Sequence, residues 1–134
     1  MLRERAVTYF LDGGRNCAES VLLAANDEYA LGLSDDAIKL LSPFGGGCGC
    51  GRLCGAQAGA LAVIGRLAVK GSAHETPGFG KLCATFVAEF EEMFGSGLCA
   101  EIKPRFAEPG RRCAAVVEQT ADALDRFLRD NGLL

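Results

Sequence analysis

The sequence PFGGGCGCGRLCGAQAG at residues 43–59 is the feature from which the rest of the chain can be understood. It is a glycine-rich loop with three cysteines, and it runs into an apolar helix that we predict to begin near Arg52. The glycines permit left-handed or crowded backbone conformations and let N–H groups approach a neighbouring group. The small residues after Cys54 leave one face of the helix nearly bare, so another helix or a bound group can approach closely. No Lys-Ser or Lys-Thr pair follows the glycines, which excludes a phosphate-binding loop.

The remaining sequence has the pattern of a helical bundle. Apolar residues recur at helical spacing, and no alternating strand pattern, fixed-period repeat or linker divides the 134 residues. We therefore predict an all-α, single-domain bundle (residues 1–134) of about five to seven helices, with the glycine-rich loop before the central helix. The predicted helices cover residues 3–11, 17–30, 35–41, 52–70, 79–94, 99–103 and 111–129, with a loop at 104–110 between two prolines.

Composition and charge exclude several classes of protein. The net charge of −3 gives no indication of nucleic acid or an anionic membrane as a partner. No apolar run reaches the roughly 18 residues needed to span a bilayer, so we expect no direct membrane insertion. The N-terminal residues lack a signal-peptide pattern, which predicts a cytoplasmic protein.

Seven cysteines and a single histidine define the chemistry that this chain can offer. An odd number of cysteines without an export signal does not indicate a disulfide framework, and clustered cysteines in a reducing compartment more often bind metal or perform redox chemistry. Because His74 lies alone in a polar loop, any metal site is expected to consist mainly of thiolates.

Four of the cysteines share one position in the predicted helices. Cys17, Cys54, Cys99 and Cys113 each fall at or near a helix start, and two arginines immediately precede Cys113. Helix N-termini and nearby cations lower the pKa of a thiol, so we predict that these four cysteines ionise easily. If the helix starts meet, the four thiols form one site for a metal cluster or for thiol–disulfide exchange.

Five segments of the chain match the pattern of one family. They are NCAESVL (16–22), FGGG (44–47), CGAQAGA (54–60), FEEMFGSGLC (90–99), and Cys113 with the helix that follows it. On these matches the chain resembles the redox-active family named C_GCAxxG_C_C, over nearly its whole length and in the right order. The resemblance implies that Cys17, Cys54, Cys99 and Cys113 are the four signature cysteines of that family.

The same resemblance implies a cofactor and a partner for this protein. A similar domain is found in split-Soret cytochromes, where an iron–sulfur centre accompanies haem, but this chain has no C-x-x-C-H motif and covalent haem is not expected. Some members lie near transporter genes, which implies a redox partner protein linked to a membrane transporter. An oxidoreductase activity and a homodimer are left open.

Three hypotheses follow for the four signature cysteines. In the first they hold an iron–sulfur cluster for electron transfer, and backbone N–H groups of the loop bond its sulfur atoms. In the second there is no metal, and Cys54 acts as the attacking thiol with Cys17 or another cysteine as its resolving partner. In the third they hold zinc in a structural or carrier site. The glycines expected to contact a cofactor are Gly45, Gly46, Gly47 and Gly55.

The other three cysteines depart from the family pattern. Cys48 and Cys50 lie in the glycine-rich loop, where family members usually carry other residues. They are either additional ligands or resolving thiols beside Cys54, or small apolar residues that the loop tolerates. Cys83 lies on the phenylalanine-rich face of the helix at residues 79–94, and we predict that it is buried in the core.

Overall fold

The computed structural model describes all residues from Met1 to Leu134, and it contains seven α-helices and no β-strand. The prediction of an all-α bundle with a glycine-rich loop before its central helix is therefore confirmed. None of the helices is long and apolar enough to cross a membrane. The helices are α1 (Leu2–Leu11), α2 (Cys17–Glu28), α3 (Asp35–Lys39), α4 (Gly55–Ala68), α5 (Phe79–Phe94), α6 (Cys99–Phe106) and α7 (Ala114–Asp130).

Helix α4 is the centre of the bundle and packs against α2, α5 and α7. Its contact with α2 is the most extensive in the molecule, and α1 covers the other side by packing on both α2 and α7. The close approach depends on small residues, because a Cβ atom added at Gly59 would lie only 2.6 Å from the carbonyl oxygen of Ala18 in α2. The first turns of α4 are fully buried, so the sequence that follows the loop forms part of the core.

The apolar face of α5 completes this core. Phe86, Phe90 and Phe94 are buried and repeat every four residues, which places them on one face of the helix. The ring of Phe86 meets that of Phe127 in α7 edge to face, with centroids 5.2 Å apart. Aromatic pairs in this geometry contribute beyond their buried area, so they hold α5 against α7.

The prediction that Cys83 is a core residue is wrong. It is only half-buried, and so are Phe79 and Leu82 in the same part of α5. The first two turns of this helix are covered on one side only, and the buried stripe begins at Phe86.

Two predicted boundaries near the C-terminus also differ from the structure. Helix α6 continues through Pro104, because Ile102 is buried and the ring of Phe106 packs edge to face on Phe94. Helix α7 begins later than residue 111, since Arg112 has a φ of +51°. A left-handed residue cannot belong to a right-handed helix, so the chain turns there before α7 starts.

Candidate functional site

The four signature cysteines all lie where a helix begins. Cys17 and Cys99 are the first residues of α2 and α6, while Cys54 and Cys113 are the N-cap residues of α4 and α7. Their predicted positions at helix starts are therefore confirmed. The glycine-rich loop links three of these starts, those of α2, α4 and α6.

A capping box fixes the start of α2 beside this loop. The side chain of Asn16 accepts a hydrogen bond from the N–H of Glu19 at 2.9 Å, and Glu19 accepts one from the N–H of Asn16 at 3.1 Å. The amide of Asn16 also donates to the carbonyl oxygen of Ser42 at 3.0 Å. Gly45 lies directly against this amide, with its Cβ position 2.5 Å from Nδ2 of Asn16. Asn16 thus ties the chain that enters the loop to the helix that carries Cys17.

The loop itself is a tight turn over Gly47–Gly51, closed by a hydrogen bond of 2.8 Å from the N–H of Arg52 to the carbonyl oxygen of Gly47. Gly47 has a positive φ, and a Cβ atom there would lie 2.6 Å from the Cβ of Cys99. Only glycine fits this position, because both the conformation and the space exclude a side chain. The turn therefore packs directly on the first residue of α6.

The chain segments that lead into α4 and α6 pair with each other in antiparallel fashion. The N–H of Cys54 donates to the carbonyl oxygen of Gly97 at 2.8 Å, and the N–H of Cys99 donates to that of Arg52 at 2.7 Å. Because Arg52 is engaged in this pairing, α4 begins at Gly55, later than predicted. The pairing aligns the starts of α4 and α6, and with them Cys54 and Cys99.

Cys17 lies on the backbone of α4. A Cβ atom at Gly55 would be 2.3 Å from the Sγ of Cys17 and 2.8 Å from the carbonyl oxygen of Phe44. The thiol of Cys17 therefore occupies the space that any other residue at position 55 would fill, directly beside Cys54.

The thiols of the four cysteines are close enough to influence one another's ionisation. Burial is the largest cause that raises the pKa of Cys17, and the charge of Cys99 adds to it. For Cys54 and Cys113 burial is again the largest cause, and Cys17 and Cys99 both raise the pKa further. The sequence could only propose that these helix starts meet, and these mutual influences connect Cys17 and Cys99 with Cys54 and with Cys113.

The prediction that these cysteines ionise easily is wrong for three of them. Burial raises the pKa of Cys17 and Cys113, and it raises that of Cys54 to about 12. Backbone N–H groups do act in the expected direction, from Gly46 at Cys17 and from Gln57 at Cys54. Their effect is smaller than the loss of hydration, which disfavours the charged thiolate.

The remaining cysteines lie outside this group. Cys48 and Cys50 are exposed on the loop, Cys83 is half-buried on α5, and none of the seven cysteines forms a disulfide. No three or more histidine, cysteine, aspartate or glutamate side chains are grouped closely enough to hold a metal ion as they stand. His74 is exposed in its polar loop, as expected.

Sequence reasoning missed that Gln57 lies buried beside Cys54. Its side chain is 1% exposed, and its Oε1 atom has no hydrogen-bond partner. This atom lies 3.1 Å from the position that a Cβ atom would occupy at Gly97. Its backbone N–H favours the thiolate of Cys54. The available signal was a single amide in an otherwise apolar stretch of helix, three residues after Cys54.

This protein is a small all-α bundle in which four cysteines lie at helix starts. A family model described as "Putative redox-active protein (C_GCAxxG_C_C)" matches residues 15–127, and the chain belongs to this family. The family assignment made from the sequence is thereby confirmed. Comparison with curated proteins and with solved structures gave no match.

Proposed function

We propose that this protein transfers electrons through an iron–sulfur cluster held by Cys17, Cys54, Cys99 and Cys113. The observation that carries the proposal is that the pKa of Cys17, Cys54 and Cys113 is raised by burial and further by the charge of Cys99, with Cys17 also contributing at Cys54 and Cys113. The other groups that influence these three pKa values are backbone N–H groups and two cations, with no carboxylate or histidine among them. A donor set made only of thiols is the one that iron–sulfur clusters use.

Burial favours ligation over chemistry of the free thiol. An attacking cysteine needs a lowered pKa, and burial shifts the pKa of Cys54 the other way. Buried thiolates without a counter-charge are unfavourable, and bound iron would supply that positive charge. Ligation would therefore replace the protons of the four thiols. Because no three of the thiols form a ready coordination set, ligation requires them to draw closer than they stand.

The chain's own backbone is suited to surround such a cluster. The N–H of Gly46 at Cys17 and those of Ala56 and Gln57 at Cys54 favour the ionised sulfur. Hydrogen bonds to ligand sulfur raise the reduction potential of an iron–sulfur cluster, and the cluster when bound supplies one-electron chemistry.

Gly47 and Gly55 leave the space that Cys99 and Cys17 occupy. In this proposal the loop glycines act through their backbone, by contacting the ligand cysteines and by keeping water away from them.

The test is anaerobic purification followed by a visible spectrum and assays for iron, zinc and acid-labile sulfide. We expect a brown protein with iron and sulfide in matching amounts. Serine at Cys17, Cys54, Cys99 or Cys113 should abolish or greatly reduce both, whereas Cys83→Ser is the matched control and should leave them unchanged.

The exposed loop cysteines give a second comparison. Because Cys48 and Cys50 are exposed and lie outside the buried group, Cys48→Ser and Cys50→Ser should retain the cluster. Full iron content in Cys17→Ser or Cys113→Ser would contradict the ligand set. Colourless protein with zinc would support the zinc alternative, and metal-free protein would return the proposal to thiol–disulfide exchange.

A further inference from the structure

We infer that the molecular face around Cys99 and Cys113 is a docking surface for an acidic electron-carrier protein. The inference rests on the proposed function in that it takes the partner to be a redox protein. The surface is defined by three exposed cations, Arg52, Lys103 and Arg112, which we call the cationic rim.

Each of the three cations lies beside Cys99 or Cys113. Lys103 follows Cys99 by four residues in α6, so both lie on the same face of that helix. The backbone carbonyl oxygen of Arg52 accepts a hydrogen bond from the N–H of Cys99. Arg112 directly precedes Cys113 in the chain.

None of these cations is neutralised within the molecule. Arg52 and Lys103 are exposed and form no ion pair. Arg112 donates a hydrogen bond of 2.6 Å to the carbonyl oxygen of Phe10 and lies 4.5 Å above the centroid of its ring, so it is held in place without losing its charge.

Two acidic side chains lie on the same segments, and only one of them is paired with a cation. Glu101 in α6 accepts a hydrogen bond of 2.7 Å from the hydroxyl of Ser96. Glu108 lies 3.6 Å from Arg111, with which it forms an ion pair. The three cations of the rim still outnumber Glu101, the carboxylate that keeps its charge here, so the rim carries an excess of positive charge on a chain whose net charge is −3.

An exposed apolar residue lies beside this charge. The side chain of Leu98 is 43% exposed and immediately precedes Cys99. Protein interfaces combine an apolar centre with a polar rim, and complementary charge mainly increases the rate and orientation of encounter. An electron carrier with an acidic surface is the partner that this combination fits.

The test compares two small electron carriers of opposite charge, an acidic plant-type ferredoxin and basic cytochrome c, by isothermal titration calorimetry at low and high salt. We expect the ferredoxin to bind more tightly, about tenfold or more, and to lose affinity as salt screens the charges. Lys103→Glu and Arg52→Glu should each weaken ferredoxin binding about three- to tenfold.

Lys81→Glu is the matched control, because it makes the same change of charge at an exposed position away from the rim. Lys81 lies in the first turn of α5. This turn packs near the C-terminal end of α4, where the ring of Phe79 is 3.9 Å from the position of a Cβ atom at Gly65, whereas the rim lies at the N-terminal end of α4. Measured at the same low salt as Lys103→Glu and Arg52→Glu, the control should leave ferredoxin affinity within about twofold of wild type, because its charge lies away from the rim.

Three results would overturn the docking surface. These are equal binding of the two carriers, equal effects of Lys81→Glu and Lys103→Glu, and binding of a short DNA duplex that is tighter than that of ferredoxin. Calorimetry does not need a bound cluster, so the two proposals fail separately. Iron-free protein that still prefers ferredoxin overturns only the cluster, and iron-loaded protein without this preference overturns only the surface.

Discussion

Replacement of Gly59 by alanine should force α2 away from α4. The added Cβ atom would lie 2.6 Å from the carbonyl oxygen of Ala18 and 3.1 Å from the Cβ of Val21. The first of these contacts is with the backbone of α2, which cannot move aside as a flexible side chain can. The clash is relieved only if the two helices separate by several tenths of an ångström, and interiors packed this closely resist such a shift.

The size of the effect is the difference between two opposing contributions. Overpacking of a well-packed core costs about 1–3 kcal/mol, and a clash with backbone belongs at the upper end of that range. Alanine is a better helix former than glycine and returns about 1 kcal/mol. We therefore expect Gly59→Ala to lower the free energy of unfolding by about 1–2 kcal/mol, which corresponds to roughly 4–8 °C in Tm for a domain of this size.

Gly65→Ala in the same helix is the matched control for this prediction. A Cβ atom there meets nothing closer than the ring of Phe79 at 3.9 Å, which is an ordinary contact. This variant should keep the propensity gain and raise the free energy of unfolding by up to about 1 kcal/mol. Urea unfolding followed by far-ultraviolet circular dichroism measures both. The reasoning is refuted if Gly59→Ala is as stable as wild type, or if both variants shift in the same direction.

Two further predictions concern titration and hydrogen bonding. In the metal-free, reduced protein, burial raises the pKa of Cys54 to about 12, so the folded state keeps a proton that the unfolded thiol loses above about pH 8.5. The free energy of unfolding should therefore fall as pH rises from about 8.5 towards 12, by at most about 1.4 kcal/mol per pH unit from this group, and fall less steeply in Cys54→Ser. Separately, Tyr29 donates a 2.6 Å hydrogen bond to Asp125 in a half-buried setting, so Tyr29→Phe should cost about 1 kcal/mol in urea unfolding. The more exposed bond from Tyr9 to Asp27 provides the control, and a loss in Tyr9→Phe equal to that in Tyr29→Phe would contradict the role of burial.

Local sequence predicted the helices well where one signal dominated. The limits of α5 match the prediction because its phenylalanines repeat at helical spacing between glycines. The start of α2 was also predicted correctly, because Asn16 and Glu19 are spaced as in a capping box and form one in the structure. In both elements the residues that determine the boundary lie within the element or next to it.

Other boundaries depended on partners that are distant in the chain. The start of α4 shifted because Arg52 pairs with Cys99, which lies 47 residues further along the sequence. The pKa of Cys54 was predicted in the wrong direction for a similar reason. The helix start that favours its thiolate is visible in the local sequence, whereas the burial that opposes it arises only when α2, α4 and α6 meet.

The spacing of the two glycines after Cys54 connects the packing of the fold with the placement of the thiols. Gly55 and Gly59 are one turn apart, so both face the same neighbour, α2. Gly59 lets the backbone of α2 approach at Ala18, and this approach brings the preceding residue, Cys17, onto Gly55. A side chain at position 55 would displace the thiol, and one at position 59 would move the helix that carries it. Glycine is therefore needed at both positions to place Cys17. The close contact between α2 and α4 brings the thiol of Cys17 beside that of Cys54.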